Sequence, residues 1–275
     1  MRTPRLVGLV TAGALLLSFA APASAAGDAM VRVLHGSPDA PSVDVFVNDG
    51  KVAALSGAEF GDLTAYVAVP GGTYSIKVCA TADNTVCPIG PVDLTFDAGK
   101  KYTVAASDLL ASIDANVFVD GGSPVEGKAK VRVVHLSSDT PTVDVLTQDG
   151  AAKVVEGLSY PDATGYLALD PGSYDLKVCA SADNTVCPLD PGALDLAGGT
   201  AYTVFAIGAL AGSGDVAGLT AVVGVDGMAA PATDTVETGT GTTDAGSGLA
   251  LLLLAVAGLV GLGASRRFAT ARAAR

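Results

Sequence analysis

The segment Val31–Val45, with His35, Ser37, Asp39, Pro41 and Asp44 inside it, returns one hundred residues later as Val131–Val145, with His135, Ser137, Asp139, Pro141 and Asp144. Laid over one another without a gap, Val31–Ala111 and Val131–Ala211 are identical at 39 of 81 positions. A self-similar period of this length decides the architecture before any local reading is made. Each unit of about a hundred residues is long enough for one hydrophobic core of ordinary size. The chain is therefore expected to carry two tandem domains and not one large core.

Within a unit the apolar residues alternate. Val43, Val45 and Val47 are separated by Asp44 and Phe46, the period-two pattern of a half-buried strand. Asn48-Asp49-Gly50 is a hairpin turn, answered by Gln148-Asp149-Gly150 in the second copy. Further strands are expected around Thr64–Val69, Thr73–Cys79, Val92–Phe96, Tyr102–Ser107 and Asn116–Val119, and no stretch of either unit keeps a helical period. Seven or eight short strands with turn residues between them predict an all-β fold: two tandem immunoglobulin-like antiparallel β-sandwich domains. They span 26–122 and 131–227, joined by a Gly/Ser/Pro-containing linker, 123–130.

The ends of the chain have a different composition. Residues 1–25 have the form of a secretory signal: Arg2 and Arg5, then an apolar run, then Ala23-Ser24-Ala25. Residues 228–247, rich in Thr, Gly, Ala and Asp, are expected to form a flexible stalk. Residues 248–264 are continuously apolar and predict a transmembrane helix, followed by a basic cytoplasmic tail, 265–275. As a helix this span rises roughly 25 Å, and snorkelling arginines can cover the shortfall against a hydrocarbon core of about 30 Å. A wall-sorting signal is the rival reading, but Thr235-Val-Glu-Thr-Gly239 lacks the Leu-Pro pair such a signal requires. The expected location is outside the cell, on a single membrane anchor. Between signal and anchor stand ten basic and 28 acidic residues, a net charge of −18, which repels nucleic acid and anionic lipid.

Few residues could carry chemistry. In an exported chain the four cysteines read first as disulfides. They lie in near-identical strings, so Cys79 is expected to pair with Cys87, and Cys179 with Cys187, each closing its own hairpin. Seven intervening residues is too wide for a zinc pair, and no Cys-x-x-Cys is present for redox work. His35 and His135 are the only histidines, and each is followed by Ser and Asp, which raises a hydrolytic triad as the alternative function. Crowding within one turn and the lack of a Gly-x-Ser-x-Gly elbow favour a strand-end His bonded to its turn. Arg32 with Asp44, and Arg132 with Asp144, are expected to meet as cross-strand ion pairs on the exposed faces of neighbouring strands; ligand binding by Arg is the sharper alternative. Tyr102 and Tyr202 resemble the tyrosine corner of immunoglobulin-like sandwiches and are assigned to the fold. Asp83-Asn84-Thr85 and Asp183-Asn184-Thr185 read as solvated hairpin tips, since the spaced acidic loop of a calcium site is missing. Catalytic residues, metal and cofactor are expected to be none.

The Val-Arg-Val-x-His-x-Ser-x-Asp-x-Pro-x-Val-Asp-Val string, the Pro-Gly turn before Tyr74 and Tyr174, and the Tyr-Thr-Val strands at Tyr102 and Tyr202 together resemble the domain of unknown function 4397. The resemblance covers both repeats. It implies exported bacterial β-domains, often in tandem and tethered to the envelope, and offers no catalytic residues. The function expected is that of a non-catalytic surface module, structural or adhesive, with an extracellular glycan or protein as its partner.

Overall fold

The computed structural model describes residues 27–121 and 124–229. The expected signal peptide, the membrane helix, the basic tail and nearly all of the stalk lie outside the described residues. Among the described residues no helix is long and apolar enough to cross a membrane.

Each repeat builds eight strands. The first comprises β1 (Asp28–His35), β2 (Val43–Val47), β3 (Gly50–Lys51), β4 (Val67–Pro70), β5 (Gly72–Ala80), β6 (Ile89–Phe96), β7 (Lys101–Ser107) and β8 (Asp114–Asp120). The second comprises β9 (Ala129–Leu136), β10 (Val143–Thr147), β11 (Lys153–Leu158), β12 (Leu167–Leu169), β13 (Gly172–Ala180), β14 (Ala193–Leu196), β15 (Thr200–Ile207) and β16 (Thr220–Met228). They form four four-stranded sheets, ordered β4-β1-β7-β8 and β3-β2-β5-β6 in the first repeat, then β12-β9-β15-β16 and β11-β10-β13-β14 in the second. The fold is thus all-β, in two sandwich-like units.

The sandwiches are not purely antiparallel, which corrects the expectation. β1 runs parallel to β7, from Met30 beside Lys101 to His35 beside Ala106, and β9 runs parallel to β15. Alternation in a sequence shows which face a residue takes, and is silent about the direction of the neighbouring strand. A parallel pair needs a long connection, and here the chain between β1 and β7 crosses through the whole opposite sheet.

Local chemistry explains where the copies differ. In the β2–β3 hairpin Asn48 and Asp49 both take left-handed backbone, at φ 48° and 66°. These two residue types tolerate that region. In the second copy Gln148 replaces Asn48, and the positive φ, 73°, moves to Gly150. The returning strand then starts later, at Lys153, and β11 takes the place of the single 3₁₀ turn Ala53–Leu55.

Inside each sandwich the inward faces pack as the alternation requires. Val33, Val45, Leu55 and Ile76 form part of the first core, and Val143, Val145, Val155 and Val178 part of the second. A further core belongs to neither repeat alone. Leu34 and Ala105 of the first are buried with Val134, Leu136, Phe205 and Ile207 of the second, and Phe118, Leu63 and Val222 pack against them. These residues come from the outward faces of β1, β7, β9 and β15, which a solitary sandwich would leave in water.

The two faces differ in bulk in a matched way. Where the first repeat has Gly36, Ala105 and Ser107, the second has Leu136, Phe205 and Ile207 at the equivalent positions; where the first has Phe118 on β8, the second has Gly224 on β16. A Cβ on Gly224 would lie 2.6 Å from Leu63 Cδ2 and 2.7 Å from an Arg32 nitrogen, so a larger residue there would have to displace both side chains. A Cβ on Gly36 would lie 3.3 Å from Ile207 Cγ2.

Fully burying a Leu, Ile, Val or Phe side chain is worth about 1.5–3 kcal/mol, so losing this shared core should be felt by both halves. Fragments 27–121 and 124–229, expressed separately, should each melt well below the intact pair or self-associate, and mixing them should restore a 1:1 complex with the higher melting temperature. Two monomeric fragments that melt within a few degrees of the whole would show the shared core to be dispensable.

Candidate functional site

Among the described residues, a buried cluster of chemistry-bearing side chains lies between the repeats. Strand alternation turns Val31 and Val33 into the first sandwich and Arg32 out of it, where Arg32 is only 2% exposed. Its Nε donates to Thr103 Oγ1 at 2.8 Å, one Nη to the Val225 carbonyl at 3.1 Å, and the other Nη to Asp226 Oδ1 at 2.5 Å. Arg132 repeats the arrangement in the opposite sense. Its Nε donates to Thr203 Oγ1 at 2.7 Å, one Nη to the Val119 carbonyl at 2.9 Å, and the other to Asp120 Oδ1. Each arginine therefore takes its carboxylate from the other repeat.

The carboxylates are filled from their own side. Asp120 Oδ2 accepts from Thr103 Oγ1 and Tyr66 Oη, both at 2.6 Å. Asp226 Oδ2 accepts from Thr203 Oγ1 at 2.6 Å and Tyr166 Oη at 2.7 Å. Thr103 and Thr203 are relays, accepting from a guanidinium and donating to a carboxylate. Tyr66 and Tyr166 also lie under the guanidinium planes, 4.5 Å from Arg32 and 5.0 Å from Arg132. Burial, and then the bond to Asp120, pushes the Tyr66 hydroxyl far above the usual phenol range; burial and the bond to Asp226 push Tyr166 up to about 12. Both hydroxyls stay protonated and remain donors. Two cations and two anions close on themselves, every carboxylate oxygen has a partner, and no group is left to attack or to accept a proton from a substrate. The arrangement can fix how one repeat seats on the other.

The proposed exposed pairs Arg32–Asp44 and Arg132–Asp144 are not formed. β1 and β2 belong to different sheets, and both Arg32 and Asp44 are buried. The outward face of β1, which the alternation identifies correctly, looks onto the second repeat and not onto water. Asp44 instead anchors a turn cluster, with Lys51 Nζ at 2.5 Å, Asn84 Nδ2 at 2.8 Å, Gly57 N at 3.0 Å and Thr81 Oγ1 at 3.1 Å. Burial raises the Asp44 carboxyl, but these donors together bring it below its ordinary value. Asp144 does the same with Lys153, Ser181, Gly157 and Asn184. The Lys153 ammonium beside it, helped by Ser181, outweighs burial and holds it well below the carboxylate range. Asn84 and Asn184 at the hairpin tips are thus tied inward. The cysteines beside them form the disulfides Cys79–Cys87 and Cys179–Cys187.

The histidines are buried and face their turns. His35 Nε2 lies 2.9 Å from the Pro41 carbonyl, and His135 Nε2 lies 3.4 Å from that of Pro141. Ser137 Oγ bonds Asp139 and Thr140 at 3.1 and 2.7 Å, not the imidazole; Ser37 Oγ faces Asp39. Asp39 and Asp139 in turn accept the backbone N–H of Leu110 and Leu210, at 2.7 and 2.8 Å. Both Ser37 and Ser137 are fully buried, so the His-x-Ser-x-Asp turn does not have the contacts of a triad. Tyr102 Oη accepts from the Asp97 N–H at 2.9 Å and Tyr202 Oη from the Ala197 N–H at 3.1 Å, each tying a strand start to the turn five residues upstream.

Six members of the charge cluster, Tyr66, Thr103, Asp120 and their counterparts Tyr166, Thr203 and Asp226, were not singled out from the sequence. The tyrosines and threonines recur at the hundred-residue period. The aspartates do not: Asp120 and Asp226 are 106 residues apart, because a loop insertion near Ala211–Gly214 shifts β16. The signal that finds them is the string Val-x-Val-Asp-Gly, at Val117–Gly121 and again at Val223–Gly227.

Two measurements follow from this geometry. Removing one partner of a buried pair costs about 3–5 kcal/mol, so Arg32→Ala and Asp226→Ala should each lower stability by that order in denaturant titrations. In a double-mutant cycle their coupling should far exceed that of the exposed pair Lys100–Asp97, for which about 0–1 kcal/mol is typical; equal coupling would remove the cluster from its structural role. Burial also lowers the His135 imidazole below its ordinary 6.5. The unfolded chain then takes a proton at a pH where the folded one does not, so this contribution to stability is present above about 6.5 and is lost as pH falls below it. The urea midpoint should drop between pH 7.5 and 5.5, and His135→Gln should flatten that slope.

The sequence profile of the domain of unknown function DUF4397 matches the chain twice, over residues 29–146 and 144–238. No curated protein matches it. Among solved structures, the C-terminal domain of AlgF from P. aeruginosa shares 25% identity over 36% of this chain and 99% of its own, with a TM-score of 0.28. The Bacillus anthracis TIE protein shares 14% identity over 66% of this chain and 34% of its own, with a TM-score of 0.22. Likenesses this weak carry nothing about activity. The family is carried by the two profile matches, which together take in both sandwiches and the paired Arg, His and Asp signatures: the chain belongs to the DUF4397 family and contains two copies of its domain in tandem.

Proposed function

We propose that the protein is an exported, non-catalytic module of the cell envelope, in which two sandwiches locked face to face are displayed as one stiff body on a membrane-anchored stalk. The observation that carries this reading is the use made of the repeat-signature polar groups. Arg32, Asp44, Ser37 and Asp39, with their copies, are spent on bonds inside the fold. His35 bonds its own turn through Nε2, while its buried Nδ1 has no partner among the described residues, and the disulfide-closed hairpins suit an oxidising compartment. A partner, glycan or protein, would meet the acidic outer surface and not a catalytic cleft. The hydrolase alternative loses support because the serines are buried and turned to aspartate.

The test uses cells producing the full chain. Protease added outside should release a fragment of the size of residues 26–247, and its four cysteines should resist alkylation until reduced. On a panel of esterase, peptidase and glycosidase substrates that fragment should show no turnover. Turnover abolished by His35→Ala and His135→Ala, with the fold retained, would replace this reading with the hydrolytic one.

A further inference from the structure

The two sandwiches are filled differently. In the first, Phe96 closes one end of the interior, its ring 6.2 Å from Tyr74 and 5.1 Å from Tyr102, and the cavity left between the sheets is about 40 Å³. In the second, Leu196 stands where Phe96 was and Gly192 where Val92 was. The cavity there is about 130 Å³, lined by Val131, Val133, Leu176, Leu194, Val204 and others of the same kind.

A second difference gives it a mouth. β6 pairs with β5 from Gly72–Phe96 through Ile76–Val92 to Val78–Ile89, whereas β14 pairs with β13 from Gly172–Leu196 to Asp175–Ala193, leaves Leu176 unpaired on that side, and the chain meets β13 again at Val178–Leu189. The stretch Pro191–Ala193, with Gly192 at φ +76°, approaches the sheet edge exposed to solvent and borders the cavity. Leu167 and Val223, also on the lining, are 36% and 45% exposed.

We propose that the second sandwich is a binding site for a small neutral apolar group, an aromatic ring or a short alkyl chain of roughly six heavy atoms, entering beside Pro191–Ala193. A water would find too few polar partners among these side chains to be held, and apolar cavities of about 150 Å³ take up ring-sized hydrocarbons. The apolar lining argues for a neutral occupant, and Asp190, next to Pro191 and held to Gln148 at 2.9 Å, is already faced by Lys177, which donates to the Gln148 carbonyl at 2.9 Å, so neither charge is free to hold an ionic head. The site is independent of the display role proposed above and would stand if that role failed.

The experiment titrates the folded protein with benzene in one arm and 1-hexanol in the other, following methyl resonances and melting temperature. Saturating probe should shift the methyls of Val131, Leu194 and Leu196, leave those of the first sandwich unmoved, and raise the melting temperature by a few degrees. A response to benzene alone assigns a ring site, and to hexanol alone a chain site. Leu196→Phe, which restores the residue of the first repeat, should abolish the shifts and raise the melting temperature without probe. The reciprocal Phe96→Leu should create a response in the first sandwich, and it serves if Leu196→Phe does not fold. No response to either probe at saturation, or an undiminished response in folded Leu196→Phe, overturns the proposal.

Discussion

Arg32 and Arg132 each take a full positive charge into the space between two sheets, and neither finds its main counter-ion within its own repeat. An unpaired charge in such a place is prohibitively unfavourable. The pairing therefore makes each sandwich conditional on the other. Much of the visible architecture serves that exchange: β8 and β16 are the edge strands that deliver the carboxylates, β7 and β15 supply the threonine relays, and the loops before β4 and β12 bring the tyrosines over the guanidinium planes. Two arginines face two aspartates there, and Lys101 closes the cluster from one side, donating to the Asp226 carbonyl at 2.6 Å. Buried ion pairs add less to stability than a hydrophobic filling would, and their best-attested use is to specify one arrangement among several.

What the sequence made legible was set by how local the cause was. The repeat period, the alternation in β2 and β10, and the hairpin at Asn48-Asp49 are all decided within a few residues, and so are the cysteine pairs. The inward bonding of His35 to its own turn belongs with them. The parallel neighbour of β1 was not legible, since β7 arrives some seventy residues later and alternation carries no direction. The fate of Arg32 was half legible: alternation put it outside the first sandwich, but nothing local says that the outside is another protein surface. Asp120 and Asp226 escaped because the insertion before β16 breaks the period at the place where the counter-ions lie.

The polar residues of the repeat signature show how much of a small β-domain's chemistry goes into joining its parts. Asp44 gathers donors from Lys51 on β3, from the turn at Gly57 and from the hairpin tip that holds Thr81 and Asn84, and Asp39 holds the loop after β7 against the turn after β1. Neither is a surface solvating group: Asp44 is buried in β2, and Asp39 accepts a backbone N–H. The interior of the second sandwich reverses the usual trend, trading aromatic filling at Phe96 for open volume at Leu196. The two copies share a frame and have diverged in what the frame contains.

The graded bulk across the shared face amounts to a mating rule. Two first repeats set against each other would bring Gly36, Ala105 and Ser107 together with nothing to fill the space between them. Two second repeats would crowd Leu136, Phe205 and Ile207 into the same volume. The unlike combination sets large against small in both directions, Ile207 against Gly36 and the Leu63 and Arg32 side chains against Gly224. Many copies of such a chain crowded on one surface would share identical charges at the exchange points, so charge alone could not keep like halves apart. Side-chain volume supplies the discrimination that the ion pairs lack.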